Sequence, residues 1–133
     1  MARSVLEKLG FKPGMSIRVT AVPPELEPAL MSPEGAPPVP PGSPTLVLVF
    51  LCAVAEVEGL ALPALAAYRP GDRVWFCYPK KTGHIRTDIN RDVGWEALRA
   101  RDWVAVTQIA LDDTWSALRF RPRAEIKVMT RKF

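Results

Sequence analysis

Leu46-Val47-Leu48-Val49-Phe50-Leu51-Cys52 is an unbroken apolar run with no polar alternation, and Arg73-Val74-Trp75-Phe76-Cys77-Tyr78 repeats the pattern after one apolar, helix-length interval. A continuous apolar run of strand length implies a strand covered on both faces, the usual condition of a parallel sheet. Between the two runs, Val54–Tyr68 carries Leu60, Leu62 and Leu65 at spacings that suit a helix. Glu56 and Glu58 stand near its start, where the positive end of a helix dipole favours carboxylates. Gly59 and Pro63 weaken its continuity. Arg69-Pro70-Gly71-Asp72 is a turn. Strand, helix and strand within Leu46–Tyr78 therefore read as a parallel βαβ unit.

Upstream, Ser4–Leu9 reads as a short helix stopped by Gly10. Ser16–Val22 alternates Ile17, Val19 and Ala21 with Ser16, Arg18 and Thr20, the pattern of a strand with one polar face. Pro24–Met31 has room for a turn or two of helix, with Leu26 and Leu30 on one side. Residues 32–44 hold six prolines, Pro33 to Pro44. Proline lacks the N–H that a helix interior or central strand needs, so this is a long extended loop. It lacks the nearby basic residue that usually orients an SH3-type ligand and reads as a connector.

Downstream, Asp92 suits the cap of a helix running to Arg101, with Val93, Trp95, Ala97 and Leu98 inward and Glu96, Arg99 and Arg101 in water. Trp103–Leu111 and Trp115–Arg121 alternate around Asp112-Asp113-Thr114, as an antiparallel hairpin does. A basic tail, 123–133, offers a further strand at Glu125–Met129 or a free end. The whole chain, 1–133, reads as one α/β domain: parallel strands Ser16–Val22, Leu46–Cys52 and Arg73–Tyr78 at the centre, the C-terminal hairpin at the edge.

The bulk numbers fit that reading. The chain has 133 residues, 48% apolar and 24% charged, with a formal net charge of +4. That charge permits an anionic partner without demanding one. Cys52 and Cys77 lie within apolar runs and read as core residues. With one His and no Cys-x-x-Cys, the sequence makes no usual zinc site, and no metal is expected. The N-terminus lacks the apolar core of a signal peptide, and no apolar run approaches the roughly 20 residues that cross a bilayer. A cytoplasmic protein that does not enter the membrane is the expectation.

Chemistry is concentrated after the Arg73–Tyr78 strand, in Tyr78–Trp95, the place where α/β folds hold their ligands. Lys80, Lys81, Arg86 and Arg91 put four cations within twelve residues. Thr82 adds a hydroxyl and Gly83 an unobstructed amide. Together these six residues are the candidate anion-binding set, suited to a phosphate-containing ligand. His84, with Lys80 and Asp88, is the candidate catalytic set: an imidazole titrating near neutrality, a carboxylate to orient it, and an ammonium beside another. The same cations also suit a solvated loop paired with Asp88 and Asp92.

Asp112 and Asp113 are adjacent, so their carboxylates diverge, and turn chemistry is the reading for them. They can also pair with Arg86 or Arg91. Trp75, Trp95, Trp103 and Trp115 all fall in regular elements and read as core. Trp115, Arg119 and Arg121 share one strand face, the one place where nucleic-acid stacking or a subunit interface is to be weighed. Nucleic acid is the weaker of those two expectations.

The runs YPKKTGHIRTDINRDVGWEALRA (78–100) and DDTWSALRFRP (112–122), with the opening LEKLGFKPGMSIRV (6–19), resemble a group of small uncharacterised bacterial proteins, and the group implies no activity. RPGDRVWFCYPK (69–80) is similar to the late strand of class I methyltransferases, which also end in a helix and an antiparallel hairpin. That resemblance implies a reduced Rossmann-like mixed sheet. It does not carry the cofactor, because the first strand exits into Ala21-Val22-Pro23-Pro24-Glu25, without the glycines a cofactor loop requires. No GxGxxG or Walker motif occurs, and no cofactor is expected.

Function is therefore expected in this order: a non-catalytic domain that binds another protein or its own copy; a phosphate, nucleotide or nucleic-acid module using the basic loop 80–91; an enzyme with its site near His84.

Overall fold

A computed structural model describes residues 5–11, 14–24, 26, 30, 42–80, 85, 87–90 and 93–125. The elements in chain order are α1 (Val5–Lys8), β1 (Ser16–Thr20), β2 (Thr45–Phe50), a π-helical turn (Val57–Ala61) running into α2 (Leu62–Ala66), β3 (Arg73–Pro79), α3 (Glu96–Arg99), β4 (Trp103–Ala110) and β5 (Trp115–Pro122). A single 3-10 turn, Arg123–Glu125, follows.

The five strands form one mixed sheet in the order β1-β2-β3-β5-β4. β1 pairs with β2, and β2 with β3, in parallel; Leu48 stands opposite Val19 on one side and Trp75 on the other. β5 runs antiparallel to both β3 and β4. The expected α/β sheet with a parallel centre and a C-terminal antiparallel hairpin is what the chain forms. The hairpin inserts its second strand next to β3, so β4 becomes the outer edge, and a bulge between Ala105 and Thr107 interrupts its ladder.

Both sheet faces are covered, which explains the two unbroken apolar runs. Val47, Val49, Val74, Phe76, Leu118 and Phe120 face a layer containing Val57, Ala61, Leu65, Trp95 and Leu98. Leu46, Leu48, Phe50, Trp75, Cys77 and Ala117 face the other, with Leu6, Leu9, Leu26 and Leu30. Alternate residues of each central strand serve opposite cores, so a polar substitution at any of them lacks a wet side. All four tryptophans are buried. Trp95 lies against Phe76, Tyr78 and Phe120, with ring centroids 6.1, 5.9 and 5.2 Å away. Trp75 donates its indole N–H to the Leu9 carbonyl at 3.0 Å, tying α1 to the central strand.

Several boundaries move for local reasons. β1 ends at Thr20 rather than Val22, because Ala21 turns to a φ of 59°, outside strand geometry. The helix expected over Val54–Tyr68 is regular only from Leu62, as the π-helical turn at Val57–Ala61 contains Gly59 and precedes Pro63. The helix expected from Asp92 is α-helical only over Glu96–Arg99. Val93, expected to face inward, is 47% exposed, while Gly94 at a φ of +111° turns the chain so that Trp95 enters the core. Glu125 belongs to the 3-10 turn and not to a strand. The Pro-rich stretch 31–41, most of Pro24–Met31 and the tail 126–133 lie outside the described residues. Among those described, no helix is long and apolar enough to cross a membrane.

Candidate functional site

The carboxyl ends of β2 and β3 lie at one end of the sheet, beside the turn that joins β4 to β5. Chain leaving β2 exposes three successive backbone amides, at Cys52, Ala53 and Val54. In an α/β fold this is where an anionic ligand finds donors. Here the donors are taken. Glu56 Oε1 accepts from the amides of Cys52 and Ala53 at 2.7 and 3.0 Å. Asp88 Oδ1 accepts from the amide of Val54 at 2.7 Å. The chain thus places two of its own carboxylates where a phosphate would go.

The loop bearing Asp88 is held by its own bonds. Thr87 Oγ1 accepts from the Ile89 amide at 3.1 Å, and Asn90 Oδ1 from the Val93 amide at 2.9 Å. The Trp95 indole donates to the Asn90 carbonyl at 2.8 Å. Ile89 is fully buried between these anchors. A Cβ on Gly94 would meet Val54 Cγ2 at 3.3 Å, so this glycine serves close packing as well as its backbone turn.

Of the sequence candidates, Lys80 and Asp88 are described. Lys80 ends β3 and donates its backbone N–H to the Thr114 carbonyl at 2.8 Å, joining the strand to the hairpin turn. It shares no ion pair with Asp88, whose carboxylate holds the Val54 amide. Lys81, Thr82, Gly83, His84, Arg86, Arg91 and Asp92 lie outside the described residues. Asp112 is a turn residue: its Oδ1 accepts from the amides of Thr114 and Trp115 at 2.8 and 2.7 Å. Among the described residues no group of three His, Cys, Asp or Glu side chains is placed to hold a metal ion. Trp115 is buried against Phe50, ring centroids 5.1 Å apart. The face weighed for nucleic-acid stacking therefore presents no Trp115 ring to solvent.

Burial pushes the Cys52 thiol above its ordinary 9.0, and the Glu56 carboxylate adds to this; burial alone raises the Cys77 thiol. Both thiols are free, and both are held away from the reactive thiolate form.

Cavities lined by described residues include two of about 200 and 220 Å³, each below the roughly 300 Å³ at which small-molecule sites begin. The larger lies between Arg18 and Thr20 of β1 and the helical stretch from Gly59 to Ala67. The smaller lies at the other end of the sheet from Lys80. Arg73, Arg119 and Arg121 line one side of it, and Tyr68, Asp72 and Glu125 the other. Sequence reading put Arg119 and Arg121 on one strand face but did not bring Arg73 to them. The signal was strand parity: Arg73 falls in step with Trp75 and Cys77, and Arg119 and Arg121 with Trp115 and Ala117. The pairing of Trp75 with Arg119 then brings the three together.

Comparison with protein-family models, with curated proteins and with solved structures finds no match to this chain.

Proposed function

We propose that this chain is a non-catalytic binding domain that engages another protein. The observation that carries the reading is the capping of the Cys52, Ala53 and Val54 amides by Glu56 and Asp88. A fold of this class that processes a nucleotide or a similar cofactor keeps those donors open for it. A carboxylate fixed at the same amides repels an incoming phosphate and takes its hydrogen bonds. Val93 is the exposed large apolar side chain among the described residues. The association proposed here rests on charged and polar contacts, so it weakens as salt is raised.

The test is a thermal-shift series at low salt with inorganic phosphate, ATP, S-adenosylmethionine and a short oligonucleotide, on the parent and on Lys80→Ala plus Lys81→Ala. A ligand that binds only the folded state raises the midpoint by mass action. The expected result is no saturable rise with any of the four. A saturable rise with ATP or phosphate that the double variant loses would replace this reading with a phosphate module at the basic loop. A rise with S-adenosylmethionine would restore the cofactor that the methyltransferase resemblance lacks.

A further inference from the structure

Three guanidinium groups gather at the amino end of β3 with too little counter-charge of their own. The two carboxylates that share their cavity are committed elsewhere. Asp72 accepts from the Thr45 amide at 2.9 Å through Oδ1 and from the Arg69 amide at 3.1 Å through Oδ2. Glu125 Oε1 accepts from the Tyr68 hydroxyl at 2.6 Å. Arg121 Nη2 donates to the Glu125 backbone carbonyl at 3.3 Å, not to a carboxylate. None of Arg73, Arg119 and Arg121 has an ion pair among the described residues. Arg119 Nε is buried without a hydrogen-bond partner. Burial, then the charges of Arg73 and Arg121, pull the Arg119 guanidinium down to about 10 from its ordinary 12.5. Left alone, such a group costs stability, and an oxyanion arriving in the cavity relieves it.

We propose that Arg73, Arg119 and Arg121 form the receiving site for one carboxylate of an acidic peptide segment on a partner protein. Lining charge selects the anion. Three guanidiniums against two carboxylates leave one net positive charge, which balances a single carboxylate and leaves a phosphate dianion under-compensated. Geometry agrees, because the planar guanidinium fork matches the two oxygens of a carboxylate. Size selects the source: a solvent-open cavity of about 200 Å³ takes one acidic side chain rather than a whole metabolite. Gly10 helps to fix the site. A Cβ there would meet Arg73 Nη1 at 3.1 Å, so the bare backbone at a φ of +87° is what lets the Arg73 side chain lie across the end of α1. The assignment of a peptide rests on the reading of the chain as a binding domain, but the site lies at the opposite end of the sheet from the capped amides.

The experiment follows the arginine side-chain Nε–H signals by NMR while an oligo-glutamate peptide is added at fixed ionic strength. An oligo-glutamine peptide and inorganic phosphate are the comparisons. The Arg119 signal is expected to move and saturate with oligo-glutamate alone. Arg121→Gln, at the half-buried margin of the cavity, should weaken that binding roughly tenfold while keeping the fold. A linear response, or an unchanged affinity in Arg121→Gln, overturns the site. Tighter saturation by phosphate than by oligo-glutamate overturns the carboxylate assignment. Failure here leaves the capped amides and the non-catalytic reading standing, whereas ATP or S-adenosylmethionine binding in the thermal-shift series removes that reading without touching the arginine site.

Discussion

Asp88 and Val54 are 34 positions apart in sequence and 2.7 Å apart in space, carboxylate oxygen to backbone amide. That bond fastens the loop after β3 to the exit of β2, and Glu56 completes the cap from the position just before the π-helical turn. Both carboxylates therefore stabilise the fold at the point where a ligand would otherwise bind. Asp88→Ala should cost about 1 kcal/mol, the usual worth of a side-chain cap on a helix-start amide. Glu56→Ala, which frees two amides, should cost more, about 2 kcal/mol. Lys80→Ala should change stability by less than about 0.5 kcal/mol, since the Lys80 contact to Thr114 uses the backbone. Urea unfolding of the three variants checks the order. A large loss for Lys80→Ala with none for Asp88→Ala would show that the loop is held by its cations instead.

Trp75 is the joint between the N-terminal segment and the sheet. Its ring fills the core beside Leu9, and its N–H satisfies the Leu9 carbonyl at 3.0 Å. Trp75→Phe keeps an aromatic ring but leaves that carbonyl without its donor. The expected loss is about 2 kcal/mol, made of an unsatisfied buried acceptor and a smaller ring. Because the bond spans 66 positions, hydrogen exchange should also rise through Val5–Lys8 before the strands open. Equal exchange in parent and variant would count against this joint.

Fold and site were unequally legible in the sequence. The strands could be read because burial on both faces leaves no choice of residue: Leu46 to Leu51 and Val74 to Tyr78 must be apolar at every position. Boundaries shifted where backbone geometry decides. Ala21 adopts a left-handed φ that no propensity announces, and Gly94 rotates Val93 out of the face its helical spacing implied. The polar sites were harder, because their meaning depends on pairing. Glu56 looked like a residue responding to a helix dipole. Only the fold shows its oxygen on the Cys52 and Ala53 amides. Likewise Arg73 and Arg119 lie 46 positions apart, and their proximity follows from the register of β3 against β5. A hairpin read from alternation does not disclose which of its strands lies inside.

Alkaline pH should destabilise this protein through groups that its fold keeps protonated. The Cys77 thiol is fully buried, and burial holds it protonated well above its ordinary 9.0. Cys52 is raised in the same direction by burial and by Glu56. In the unfolded chain both thiols ionise near 9.0, so above that pH the folded state binds more protons than the unfolded one, and stability falls as pH rises. Tyr68 extends the loss. Burial, then its bond to Glu125, pushes its hydroxyl up to about 12, so its contribution is complete below 10.0 and disappears as pH climbs toward 12. Each thiol that stays protonated in the fold adds a slope of up to about 1.4 kcal/mol per pH unit. The melting midpoint should therefore be flat through neutrality and fall steeply above about pH 9. Cys77→Ala lowers the midpoint at neutral pH by leaving a small void, yet it should flatten the alkaline decline, and that opposition separates ionisation from packing. Parallel declines in parent and Cys77→Ala would assign the alkaline sensitivity to other groups.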